Sequence, residues 1–235
     1  MERTNPRMTF AVDGPEGLQE LSMECRHLYI IGYSGRNTEM VRKHIRELEE
    51  QLGVAPPAHV PEIFVCDPAL LAADGQIART GSRTSGEVEF VILVHGGQVY
   101  IGIGSDHTDR EAEAGDVLLA KQRCGKPVGK GFWRFEDVRE HWDRVELRSW
   151  LYAGGEETAY QKGRADAVKR PEEILQLLAE RGAPTEDAVI FSGTVPLLAG
   201  YLFENEMRCE LFDPVLDRKL ELTYQLRGES DIGDD

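Results

Sequence analysis

The stretch Gly86-Glu87-Val88-Glu89-Phe90-Val91-Ile92-Leu93-Val94-His95-Gly96-Gly97-Gln98-Val99 decides how this chain folds. From Val88 to Val94 it is apolar at nearly every position, the pattern of a strand covered on both faces. His95-Gly96-Gly97-Gln98 reads as a hairpin turn, and Val99 to Gly104 as the returning strand. Alternation sends Glu87 and Glu89 to one face. A symmetric hairpin that pairs Val94 with Val99 carries the register back to Glu89 opposite Gly104 and Glu87 opposite Asp106. Three carboxylates then converge at the end of an apolar hairpin. Opposed side chains on one sheet face have Cβ atoms roughly 5 Å apart and diagonal ones roughly 7–8 Å, so like charges there repel unless something neutralises them. A hard divalent cation with oxygen ligands does so. Solvated acids at a frayed hairpin end are the alternative. Gly102 and Gly104 add no side chain and leave room for an ion and a ligand.

Composition narrows the classes of partner. The 235 residues are 41% hydrophobic, enough for one large domain over residues 1–227. The net charge of -15, from 42 acids against 27 bases, argues against nucleic acid or an anionic membrane as the main partner. A small molecule is easier to accommodate. Cys25, Cys66, Cys124 and Cys209 show no CxxC pairing and read as reduced, partly buried thiols. The first residues lack a signal-peptide core and no run approaches a membrane span, so a cytoplasmic protein is expected. The acidic segment 228–235 is expected to be a disordered tail.

Along the chain, strands are expected at Met8–Val12, His27–Gly32, Glu62–Cys66, Ala188–Phe191, Met207–Phe212 and Leu220–Leu226. A helix begins after Asn37 or Thr38, carries Met40, Val41, Ile45, Leu48 and Leu52 at helical spacing, and stops at Gly53. A second helix starts at Pro171, carries Ile174, Leu175, Leu177 and Leu178, and ends at Gly182. Trp133, Trp142 and Trp150 read as packing residues, since no basic patch accompanies them. The balance is α+β and strand-rich, with few helices.

Read in order, His44-Ile45-Arg46-Glu47, Glu87-Val88-Glu89, Asp106-His107-Thr108-Asp109-Arg110, Lys121 ahead of Pro127-Val128-Gly129, and Ser192-Gly193-Thr194 make a series spread over most of the chain. Their order, from about Leu28 to Leu226, resembles the fumarylacetoacetate hydrolase superfamily, metal-dependent enzymes that cut or rearrange 2,4-dioxo acids and related compounds. The resemblance implies that superfamily's mixed β-sandwich or roll with few helices, assembled as a homodimer. It makes Glu87, Glu89 and Asp106 the ligands of Mg²⁺ or Mn²⁺, in agreement with the hairpin register. It makes His44 and Glu47 an acid/base dyad, which i, i+3 spacing on a helix permits. Arg110 would bind a substrate carboxylate, Lys121 would add positive charge near the reacting oxygens, and Gly193 and Thr194 would contact the ligand.

The activity so implied is hydrolytic cleavage of a carbon–carbon bond in an acylpyruvate-like 2,4-dioxo acid. Decarboxylation, hydration or tautomerisation of a 2-oxo acid on the same metal is the nearest rival. A non-catalytic binder of small acids is the alternative from another class. The chain departs from the pattern in four places. Only sixteen residues separate Glu89 from Asp106, Asn37 lies seven residues ahead of His44, Glu113 stands where many relatives carry Gln, and Val195-Pro196-Leu197-Leu198-Ala199-Gly200 replaces a more regular Pro-x-Gly-x-Gly run. A carboxylate at 113 disfavours an anionic group there.

Overall fold

Val94 pairs with Val99, Glu89 with Gly104 and Val88 with Ser105, the register that the alternation requires. This hairpin is the centre of a computed structural model that describes residues 5–14, 17–52 and 54–228. In chain order the main elements are β1 (Arg7–Gly14), β2 (Gly17–Glu24), β3 (His27–Gly32), α1 (Thr38–Leu52), β4 (Glu62–Cys66), β5 (Gln76–Ala78), β6 (Val88–His95) and β7 (Gln98–Ser105). They continue as α2 (Arg110–Glu113), α3 (Val117–Gln122), β8 (Gly131–Arg134), α4 (Phe135–Val138), β9 (Glu146–Ala153), β10 (Glu156–Arg164), α5 (Pro171–Glu180), β11 (Ala188–Thr194), β12 (Glu206–Asp213) and β13 (Arg218–Arg227).

Eight strands form one sheet in the order β2-β1-β8-β7-β6-β11-β3-β4, and five form another, β10-β9-β12-β13-β5. The apolar run of β6 is divided by its own alternation. Phe90 and Ile92 join Tyr29, Trp133, Trp142, Leu147, Leu211 and Leu222 in a core between the two sheets. Val91 and Leu93 face the other way, into a second core with Phe10, Leu28, Ile30, Phe132 and Phe191. That second core is filled almost wholly by strands of the eight-stranded sheet, which curls around it as a roll. Both faces of β6 are therefore dry, as its composition demands.

Helix α1 starts where its sequence places it, with Asn37 Oδ1 accepting from the Met40 amide at 3.1 Å. Met40, expected on the apolar stripe, is 59% exposed, because it lies in the first turn and Val41 is the residue packed inward against Gly35. Gly53, the expected stop, and segment 229–235 of the expected tail lie outside the described residues. Trp133 and Trp142 are buried, and Trp150 lies under the Arg208 guanidinium at 3.8 Å. The four cysteines are free and more deeply buried than their scatter implied. Burial pushes the Cys25 thiol up to about 12 and that of Cys66 up to about 11. Among the described residues no helix is long and apolar enough to cross a membrane.

Candidate functional site

Where the hairpin ends, the chain turns back on itself and concentrates charge. The Asp106 amide donates to Glu87 O at 3.0 Å, which extends the β6–β7 ladder by one step and sets those two residues across from each other. Glu89 and Asp106 are buried and Glu87 is half-buried. Helix α3, capped by Asp116 Oδ1 accepting from the Leu119 amide at 2.9 Å, delivers Lys121 onto Asp106 Oδ2. The following turn brings in Lys126, fully buried, with Nζ 2.9 Å from Asp106 Oδ1 and 2.5 Å from His107 O. Glu89 Oε2 accepts from the Gly193 amide at 2.8 Å.

These contacts set the charges. Burial raises the Glu89 carboxyl well above its ordinary value, neighbouring Asp106 raises it further, and the Gly193 N–H and Lys121 oppose only part of this. Burial would raise Asp106 too, but Lys121 and Lys126 together outweigh it and hold that carboxyl far below the usual range. Burial works against the Lys121 ammonium, yet Asp106, then Glu113 and Glu87, keep it protonated. The result is a group of acids sharing one face, Glu89 and Asp106 dry and Glu87 half-buried, with lysines paired to Asp106 alone.

Arg110 opens α2, whose N-cap Asp109 accepts from the Glu111 and Ala112 amides. Its guanidinium is buried and heavily used. Nε donates to Ser85 Oγ at 2.7 Å, Nη1 to Glu113 at 3.0 Å, and Nη2 lies 3.2 Å from Glu87 Oε2. The Tyr201 ring covers its face at 4.4 Å. Thr194 donates its hydroxyl to Val88 O at 2.7 Å and accepts from Gln161 Nε2 at 2.8 Å, so it fastens β11 to the start of β6. Gly193 has φ +98°, and a Cβ there would overlap Ser34 Oγ. Glu47 lies on α1, 3.5 Å from Lys43, and the His44 side chain lies outside the described residues.

The structure thus brings together Glu87, Glu89, Asp106, Lys121, Arg110, Gly193 and Thr194. Lys126 was overlooked. It sits immediately before Pro127-Val128-Gly129, so the same motif that pointed to Lys121 held the signal for it. Tyr201 had no signal, because nothing in a loop sequence shows that a ring will land on an arginine more than ninety positions away.

Glu87, Glu89 and Asp106 offer only oxygen ligands from one sheet face, with Glu89 and Asp106 raising each other's cost of ionisation. That donor set fits a hard divalent cation. Among the described residues, the three ligand side chains whose donor atoms all lie within 4.8 Å of one another are His95, Glu186 and Asp187, at the opposite, turn end of the hairpin; Glu87, Glu89 and Asp106 stand farther apart than that. The oxygens of Glu186 and Asp187 are engaged at the turn, just as those of Glu87, Glu89 and Asp106 are engaged by Arg110, the Gly193 amide and the two lysines. Glu186 accepts from the Gly96 and Gly97 amides, and Asp187 pairs with His95 at 2.7 Å and with Arg26 at 3.4 Å.

A family model described as a protein of unknown function, DUF2848, matches residues 31–224. No curated protein matches the chain. Among solved structures, Cg1458 shares the fold with a TM-score of 0.60 and 14% identity, covering 94% of this chain and 100% of that one. The apo form of 2-keto-3-deoxy-D-arabinonate dehydratase gives a TM-score of 0.63 and 16% identity over 92% of this chain and 78% of that one. The same dehydratase complexed with magnesium and 2,5-dioxopentanoate gives 0.61 and 14%, over 92% and 79%. The strand-rich α+β fold is the fumarylacetoacetate hydrolase-like one that the motifs implied.

Proposed function

The chain belongs to the DUF2848 family, and we propose that it is a metal-dependent enzyme of 2-oxo acid chemistry, of lyase or hydratase type. The observation that carries this reading is the convergence of Glu87, Glu89 and Asp106 with two buried lysines at one hairpin end. A fold neighbour holding magnesium and 2,5-dioxopentanoate supports it. A Mg²⁺ or Mn²⁺ ion held by the three carboxylates would supply Lewis acidity toward the oxo and carboxylate oxygens of the acid.

The chain's own residues do the rest. Lys121, held as an ammonium on Asp106, is placed to lend positive charge to the reacting oxygens and to donate a proton to the carbon beside the oxo group. Lys126 is a fixed positive charge, tied to a backbone carbonyl and unable to reach outward. Arg110, with its donors on Ser85, Glu87 and Glu113, holds those two acids in place rather than gripping the substrate. The Gly193 N–H orients Glu89, and Thr194 fixes the strand beneath it.

A second reading, hydrolytic carbon–carbon cleavage of a 2,4-dioxo acid, is favoured by the placing of the loop before α1. Ser34 in that loop lies against Gly193, which ties the helix bearing His44 and Glu47 to the site. In that reading His44, oriented by Glu47, deprotonates the water that attacks the distal carbonyl.

The test is a panel of 2-oxo-3-deoxy acids, oxaloacetate and acylpyruvates incubated with protein and Mg²⁺ or Mn²⁺, with products identified. Water loss is the expected outcome for the first reading, and an acid plus pyruvate for the second. Lys121→Met should lower turnover by roughly 10²–10⁴-fold in the first. If the wild type binds metal and oxo acids but consumes none, the protein is a binder and not an enzyme.

A further inference from the structure

Val88 lies between Glu87 and Glu89, and side chains hold its backbone. Strand β11 ends at Thr194, opposite Glu89, after a register shift between Phe191 and Thr194. Beyond that end the Val88 N–H donates to Gln161 Oε1 at 2.8 Å, and the Thr194 hydroxyl donates to Val88 O at 2.7 Å. Two side chains so complete the pairing that a buried N–H and C=O require. The N–H belongs to the peptide that joins Glu87 to Val88, and the C=O to the one that joins Val88 to Glu89. Both links between the two glutamates are therefore pinned.

Gln161 stands behind both bonds. It lies on β10, an edge strand in which only it and its neighbour Tyr160 are buried. Strict alternation would turn one of two neighbours outward. A bulge prevents this, since Ser149 faces Gln161 and Trp150 faces Ala159, which leaves Tyr160 as the extra residue. The Gln161 amide then uses all its capacity. Oε1 accepts from the Val88 N–H and, at 3.2 Å, from the Ser149 hydroxyl. Nε2 donates to Thr194 Oγ1 at 2.8 Å and to Val195 O at 2.7 Å. A flipped amide would set its NH2 against the Val88 N–H and its oxygen against Val195 O, so one orientation alone fits. One side chain thus holds the Val88 N–H directly and the Val88 C=O through Thr194, next to the Gly193 N–H that Glu89 Oε2 accepts at 2.8 Å.

We propose that Gln161 is a positioning residue of the carboxylate site: through Val88 and Thr194 it fixes the relative direction of Glu87 and Glu89, and with it the affinity of the site for a divalent cation. The inference rests on the reading of Glu87, Glu89 and Asp106 as cation ligands. Mn²⁺ uptake, followed by loss of the free-ion electron paramagnetic resonance signal, separates the two. The proteins compared are the wild type, Gln161→Met, Thr194→Val, Thr194→Ser, Leu178→Ala and Glu89→Gln, at a temperature where denaturation curves show each one folded. Gln161→Met keeps the length of the side chain and loses the amide. Thr194→Val keeps the shape and loses the hydroxyl, which Thr194→Ser retains. Leu178→Ala opens the buried core at α5 and belongs to none of these contacts.

Gln161→Met and Thr194→Val should bind Mn²⁺ roughly 10–100-fold more weakly, the usual cost of removing a partner that orients a metal ligand. Thr194→Ser and Leu178→Ala should keep the wild-type affinity, because the first preserves the bond to Val88 O and the second lowers stability without touching it. A folded Gln161→Met with wild-type affinity, or an equal loss in Leu178→Ala, would overturn the positioning role and leave the site reading standing. If Gln161→Met does not fold, the Thr194 pair decides, and equal affinity of its two members overturns the role. A wild type that takes up no Mn²⁺, or no more tightly than Glu89→Gln, would overturn both.

Discussion

Replacing Asp106 by alanine is expected to cost about 3–5 kcal/mol of stability, the effect of removing one partner from a buried ion pair. Lys121 and Lys126 would be left facing each other with side chains 8% and 0% exposed, and neither can swing into water without opening the core. Chemical denaturation should show it. The double variant Asp106→Ala, Lys126→Met should recover part of the loss, because it removes one of the two stranded charges. A loss below about 1 kcal/mol, the range of an exposed pair, would mean that the lysines do not depend on Asp106.

Gly193→Ala is the second large expected effect. A non-glycine residue in the left-handed region costs roughly 1–2 kcal/mol, and forcing a methyl into a filled space roughly 1–3. Here the methyl would overlap Ser34 Oγ and come 3.1 Å from Ile31 O. Together they predict a loss of about 2–5 kcal/mol, and displacement of the one N–H that Glu89 Oε2 accepts. Gly96→Ala is the control, since that glycine also has positive φ and has nothing within 4 Å of the added atom. If both variants lose the same stability, the crowding at Gly193 has no consequence and its role in holding Glu89 falls.

The hairpin was legible because two rules act on it together. A period of two and a glycine turn fix which residues oppose each other, and so Glu87, Glu89 and Asp106 could be placed on one face from sequence alone. Strands β2 and β10 were not anticipated. Both are sheet edges, β2 exposing Leu18 and β10 exposing Glu156 to Ala159, so neither carries the apolar alternation that marks a strand. The two lysine partners of Asp106 were equally out of reach. They come from α3 and the turn after it, and their approach depends on how α3 packs, which no local pattern encodes. The same holds for Arg110, whose reading as a free carboxylate clamp took no account of Ser85, Glu87 and Glu113 closing around it.

A divalent cation is expected to bind at the hairpin's site end and not at its turn. Calorimetric titration of Mn²⁺ into the wild type, Glu89→Gln and His95→Ala tests it directly. Glu89 is a proposed ligand among the three acids, whereas His95 belongs to the Glu186 and Asp187 cluster at the turn. The wild type and His95→Ala should bind Mn²⁺ with equal affinity, and Glu89→Gln should bind at least tenfold more weakly. Full binding by Glu89→Gln with loss in His95→Ala would move the ion to the turn and contradict the account.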